Sequence, residues 1–301
     1  MATIQNWIST FRLRTLPLAL SVIILGSLLA YANGFKNYVV TLLAVLTTLF
    51  LQILSNVAND YGDGVKGTDN DERIGPQRAI QSGAIGQSAM KMAVIILSLL
   101  AFISGISLIL FAIPSSELLK AAVFLILGLV SIWAAIKYTV GKDAYGYRGM
   151  GDLFVFIFFG LVGVCGTFYL HANELPLDIF LPASAIGFLS TGVLNLNNMR
   201  DFNSDKNAGK NTLVVNIGLK TAKRYHTTLL IGALILSIVY VFLNSGIEWS
   251  SYLFLLVSPL VIFNLKKVFQ IKDPKQLDPL LKQLAITTLL YSILFGTGQL
   301  L

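Results

Sequence analysis

Apolar residues run along this chain in long unbroken stretches separated by short polar breaks. The stretches fall near Leu16–Tyr31, Tyr38–Ala58, Met92–Ile113, Leu118–Ile136, Leu153–Leu170, Ile179–Leu194, Thr227–Leu243, Ser251–Leu265 and Leu281–Leu300. Each approaches the roughly 20 residues a helix needs to cross a hydrocarbon core. Barrel strands would alternate in and out over about ten residues, and these runs do not alternate. The pattern predicts an all-α, polytopic membrane bundle of about nine transmembrane helices, with residues 1–301 forming one membrane-embedded domain.

Ahead of the first run, Ile4, Trp7, Ile8 and Phe11 recur at i, i+3, i+4 and i+7. That spacing predicts a short interfacial helix over Thr3–Arg12 with Trp7 at headgroup depth. A cleavable signal peptide is the competing reading, because Arg12 and Arg14 precede an apolar run that ends in Ala30-Tyr31-Ala32. The amphipathic repeat favours a retained segment.

Composition agrees with a membrane solvent: 55% of residues are hydrophobic and 12% charged, against about 25% charged in a soluble domain. A formal charge of +7 would suggest nucleic acid in a soluble protein. Here the distribution matters more. Of the 22 Lys and Arg residues, 20 fall in one set of connections, leaving Lys36 and Lys120 for the other. By the positive-inside rule the N-terminus is cytoplasmic and nine crossings put Leu301 outside. The bilayer is the expected partner, with no nucleic acid and no obligate protein partner. Cys165, alone inside an apolar run, reads as a packing residue. His171 and His226 share no ligand spacing and read as structural, and Phe156, Phe158, Phe159, Phe168 and Tyr169 read as packing or lipid-facing.

Acidic residues change the picture. Asn56, Asn59, Asp60 and Asp63 gather where the second run ends, with Asp69 following. Continued as a helix, the first four share one face, where like charges repel unless a cation holds them. The sixth run ends on a matching cluster of Asn198, Asp201 and Asp205, so runs two to five are weakly echoed by runs six to nine. Oxygen ligands without His or Cys suit a hard cation such as Mg²⁺, which takes one or two carboxylates and fills its shell with water and phosphate. Two facing clusters would hold a diphosphate between them. Arg73, Arg78, Tyr138, Lys142, Arg148, Arg200, Lys206 and Lys210 lie in the same set of loops.

At these residues the chain resembles the UbiA superfamily of intramembrane prenyltransferases. It departs from that pattern where Gly67 replaces the last acid of the first motif and Asn198 the first acid of the second. Those departures resemble the menaquinone branch, which prenylates 1,4-dihydroxy-2-naphthoate. The branch's features stand here as Phe11-Arg12-Leu13-Arg14-Thr15-Leu16-Pro17, Arg73-Ile74-Gly75-Pro76, Tyr145-Gly146-Tyr147, Asn197-Asn198 and Gly209-Lys210-Asn211-Thr212-Leu213.

The resemblance implies a polyprenyl diphosphate donor, a naphthoate acceptor, Mg²⁺ as cofactor and a bacterial inner membrane. It implies Asp60, Asp63, Asp69, Asp201 and Asp205 as metal ligands, and Tyr138 and Lys142 as the family's Tyr-x-x-x-Lys element. Asn56, Asn59, Arg73, Arg78, Arg148, Asn198, Arg200 and Lys210 are then expected to bind substrate. Another aromatic acceptor, such as 4-hydroxybenzoate or homogentisate, is the rival within the family. An ion-coupled transporter is the rival outside it, although transporter acids lie near the midplane rather than at span ends.

Overall fold

The computed structural model describes residues 3–67, 78–244 and 248–301. Asp69 and Arg73 lie outside the described residues. Among the described residues nine helical segments are long and apolar enough to cross a bilayer.

Thr3 caps α1 (Ile4–Phe11) by accepting from the Asn6 N–H at 3.3 Å. Arg12 ends α1 in a left-handed conformation and a short turn leads into α2 (Leu16–Ala32). A short helix therefore stands where the amphipathic spacing predicts one, its Ile4 and Ile8 exposed and its Trp7 and Phe11 packed against a cluster that includes Leu54, Val57 and Ala58. Asn37 caps α3 (Tyr38–Lys66) through two backbone amides, and α4 (Gln87–Ala112) and α5 (Leu118–Lys137) follow. A further span comprises α6 (Gly151–Val155), a π-helical stretch over Phe156–Cys165, and α7 (Gly166–Ala172). Then come α8 (Phe180–Arg200), the short α9 (Phe202–Asn207), α10 (Leu213–Asn244), α11 (Ser258–Gln270) and α12 (Asp278–Leu300).

Two helices exceed their apolar runs by the widest margins. α3 continues to Lys66 rather than Ala58, and α10 begins at Leu213 rather than Thr227, with a break at Gly218. Hydropathy marks only the lipid-facing part of a helix; Asn59, Asp60, Gly62, Asp63 and Gly64 are poor helix formers held in the helix by tertiary packing, with Gly62 close against Thr139 and Gly64 against Ile80. The pairs α3–α4 and α8–α10 are the most extensive helix contacts, as the weak repeat suggests.

Without a hydrophobic drive between helices in lipid, close packing and hydrogen bonds join them. At Gly160 an added Cβ would lie 2.7 Å from the Ala183 carbonyl oxygen, so backbone meets backbone there. Farther along, His226 Nε2 pairs with Asn264 Oδ1 at 3.0 Å, and Ser237 with the Tyr291 hydroxyl at 2.6 Å, tying α10 to α11 and α12. His171 closes a cluster with Ser27 and Thr41 at the opposite end from the acids. Both histidines are thus structural, and Cys165 is buried in the core.

Candidate active site

Because α3 is unbroken to its end, the first acidic cluster rides on its last turns. Gly67, at φ 70, closes the helix with a backbone conformation that glycine adopts without strain. At about 100° per residue, Asn56 and Asp63 nearly superpose, Asn59 lies about 60° to one side and Asp60 about 40° to the other. The structure divides them accordingly. Asn56, Asn59 and Asp63 line a cavity of about 450 Å³, while Asp60 lines a second cavity of about 340 Å³. There the Asp60 carboxylate accepts from the Ala79 amide at 3.4 Å.

The second cluster is arranged differently from expectation. α8 ends at Arg200, Asp201 leaves helical geometry at φ −90 and ψ 8, and α9 restarts. This break turns Asn197, Asp201, Ser204 and Asp205 toward the large cavity, while Asn198 is buried outside both cavities. Asn198 is therefore replaced by Asn197 as the lining amide. Arg200, 2% exposed, grips Asp201 with two hydrogen bonds of 2.8 and 2.7 Å and also reaches Asp278 at 2.5 Å and Asn197 at 2.9 Å. Such a two-point pair fixes a carboxylate's position as well as its charge.

Lys210 is the cation that joins the two clusters. Its Nζ lies 3.8 Å from Asp205, and Asp63 adds to the field around it. Burial opposes its charge, yet the two carboxylates win and raise its pKa above the ordinary lysine value, so it is an ammonium. Tyr147, quoted from the sequence as part of a family motif but given no role there, donates to Asp63 at 2.8 Å and has the Lys66 ammonium 3.9 Å above its ring. Its carbonyl accepts from the Asn211 amide at 3.2 Å, linking the loop after α5 to the loop after α9. Tyr138 lines the same cavity, and burial pushes its phenol up to about 12, leaving it a hydrogen-bond donor.

Lys142, expected beside Tyr138, is not there. The chain turns at Gly141, φ 93, and puts Lys142 on an exposed corner outside both cavities. Arg148 is also exposed, paired with Asp143. Arg78, 7% exposed, lines both cavities, and Asn56 donates to the Phe11 carbonyl and Thr15 hydroxyl, each at 2.9 Å.

From this polar end the large cavity extends between α3, α4, α5 and the π-helical stretch, past Leu51, Phe102, Ile106, Leu125, Phe158 and Phe159. Of the five aromatics named from sequence, Phe158 and Phe159 face it, Phe168 is core, Phe156 packs on Phe188 and Tyr169 stacks on Phe124.

Asp63, Asp201 and Asp205 offer oxygen donors alone, which fits a hard cation. Among the described residues no three acids converge as a closed metal cage.

A nine-span bundle in which each half sets carboxylates at the head of a long apolar cavity defines an intramembrane transferase of prenyl groups. The chain belongs to the UbiA prenyltransferase family, whose profile matches residues 19–289. It is 46% identical over 294 residues to the 1,4-dihydroxy-2-naphthoate octaprenyltransferase of Escherichia coli K12, covering 98% of this chain and 94% of that one. An apo UbiA homologue from Aeropyrum pernix K1 superposes with a TM-score of 0.66 at 16% identity, over 99% of this chain and 98% of that one. A UbiA homologue from Archaeoglobus fulgidus, solved with DMAPP and Mg²⁺, gives 0.59 at 17% identity, over 96% and 99%.

Proposed function

We propose that the protein transfers a polyprenyl group from polyprenyl diphosphate to 1,4-dihydroxy-2-naphthoate, releasing diphosphate and CO₂. The product is demethylmenaquinol, the reduced form of demethylmenaquinone, for menaquinone synthesis in a bacterial inner membrane whose cytoplasmic side bears the acidic clusters. The observation that carries this reading is one cavity with Asp63, Asp201, Asp205, Lys210 and Tyr138 at its polar end and apolar walls along its length. It matches a substrate with a diphosphate head and a hydrocarbon tail. The naphthoate relative supports the acceptor, and the Mg²⁺-bound homologue supports the metal.

Bound Mg²⁺, held by Asp63, Asp201 and Asp205 with Asp60 and Asp69 as further ligands, would supply charge against the diphosphate. The Lys210 ammonium and Tyr138 phenol donate to the leaving oxygens as the allylic C–O bond breaks. Phe158 and Tyr145 line the cavity in which the allylic cation forms. Apolar walls keep water from it until the naphthoate ring attacks. The new C–C bond takes a ring electron pair, and departure of the carboxyl group as CO₂ returns one. The transporter reading finds no support, since these acids sit at helix ends.

The test supplies carboxyl-labelled naphthoate and a prenyl diphosphate to purified protein. Labelled CO₂ is expected in a one-to-one ratio with prenylated product, with little reaction of 4-hydroxybenzoate or homogentisate. Prenylation of 4-hydroxybenzoate with its carboxylate retained, and none of the naphthoate, rejects the acceptor.

A further inference from the structure

Tyr138 stands one residue past the end of α5 and lines the large cavity. Among the described residues its hydroxyl has no hydrogen-bond partner, which leaves the donor free for a ligand oxygen. No polar contact fixes the ring, so its position must come from packing. The segment that packs on it is residues 145–152, which folds back over the end of α5. There the Gly146 amide donates to the Tyr138 carbonyl at 3.0 Å. A Cβ on Gly146 would stand 2.6 Å from that carbonyl oxygen and 3.0 Å from the ring carbon Cε2. A Cβ on Gly151 would stand 3.2 Å from the same Cε2 and 3.4 Å from the hydroxyl oxygen.

Neither glycine has a positive φ, so backbone freedom does not call for them. Space does. Both are buried, and Gly151 opens α6 although glycine is a poor helix former. Tyr145 completes the contact, meeting the Tyr138 ring edge-on at 5.4 Å and 74°. It is itself anchored, by its hydroxyl to the Ala134 carbonyl at 2.9 Å and by stacking on Phe154 at 3.9 Å. Burial keeps the Tyr138 phenol protonated, and the carboxylate of Asp152, next in the chain after Gly151, acts in the same direction. The same segment delivers the Tyr147 hydroxyl to Asp63.

We propose that residues 145–152 form a cradle for Tyr138, in which Gly146, Gly151 and Tyr145 are positioning residues that aim its hydroxyl at the leaving diphosphate oxygens. The proposal rests on the donor role given to Tyr138 above. A hydrogen-bond donor to developing charge is effective only where it already points at the oxygen, and a phenol with no partner of its own keeps that aim through van der Waals contact alone. Side chains at positions 146 and 151 would hold the segment off the ring. Their absence lets the backbone close on it.

The test is a double-mutant cycle on purified protein, using Gly151→Ala, Tyr138→Phe and the two combined, with each substrate varied in turn. Gly151→Ala makes the ring yield by a few tenths of an ångström. Its kcat is expected to fall about three- to tenfold with both KM values unchanged, against about a hundredfold for a full ångström of misplacement. Tyr138→Phe should lose about a hundredfold, the cost of a missing donor to developing charge. In the Tyr138→Phe background, Gly151→Ala should change kcat by about twofold or less, because the group it displaces has gone. Tyr145→Phe releases the anchor to Ala134 without adding bulk, and should give a smaller loss with the same dependence on Tyr138. Unfolding temperature, and calorimetric binding of an unreactive prenyl thiolodiphosphate with Mg²⁺, should match wild type for each single variant. Equal slowing of wild type and Tyr138→Phe by Gly151→Ala and by Tyr145→Phe overturns the cradle, as does full activity of both. Wild-type turnover by Tyr138→Phe removes the donor role as well, whereas a wild-type protein that transfers no prenyl group removes the proposed function itself.

Discussion

Helices α5 and α8 line the same cavity and are built by opposite rules. Over their membrane-crossing windows, 56% of the α8 span is buried inside the protein but only 6% of α5. α8 is pressed against the π-helical stretch through Gly160 and Gly187. α5 turns Val123, Ile126, Val130 and Trp133 outward and presents Leu125, Gly128 and Ile132 to the cavity. It is a single layer between lipid and substrate space. The carboxylates differ as well: Asp201 is clamped by a buried arginine, whereas Asp63 accepts from the Tyr147 phenol and adds to the field at Lys210. The lesson is that the wall holding charge is packed into the protein, whereas the wall along the apolar cavity is one helix thick.

The largest effects should come from the acids. Asp63→Ala and Asp201→Ala are each expected to abolish prenyl transfer, and EDTA to stop wild type until Mg²⁺ is restored. Full activity in excess EDTA rejects the metal. The comparison sharpens in their stabilities, since only Asp201→Ala strips the buried Arg200 of a partner and should lower the unfolding temperature.

Next in size is Arg200→Met, which leaves Asp201 buried without its counter-charge and should cost about 3–5 kcal/mol. Unfolding in mixed micelles measures it, and a loss below about 1 kcal/mol would show that the arginine is not what holds this half together.

One chemical change made in both helices tests the contrast directly. A Cβ at Gly187 would meet the Phe156 ring at 2.6 Å and its carbonyl at 3.1 Å, whereas at Gly128 nothing lies within 4 Å. Gly187→Ala is expected to destabilise by about 1–3 kcal/mol. Gly128→Ala should be neutral or gain up to about 1 kcal/mol from helix propensity. Equal effects would erase the distinction. The mildest change concerns orientation: in a Cys165→Ala background, Lys142→Cys should label only from the cytoplasm and Lys36→Cys only from outside, and the reverse would invert the site.

Nine apolar runs were enough to determine the number of spans found among the described residues, because bilayer thickness acts on local stretches of chain. The family's carboxylates were legible for the same reason, since ligand chemistry shows in residue type. Tertiary structure decided which neighbours reach the cavity. A break at Asp201 selected Asn197 over Asn198, and a turn at Gly141 carried Lys142 into water. Lys210 came from the opposite half to stand between the acids, and the α1–α2 joint placed Arg12 in the wall between two cavities. Rotation about a helix end and contact between distant loops depend on packing across the bundle, so no window of sequence contains them.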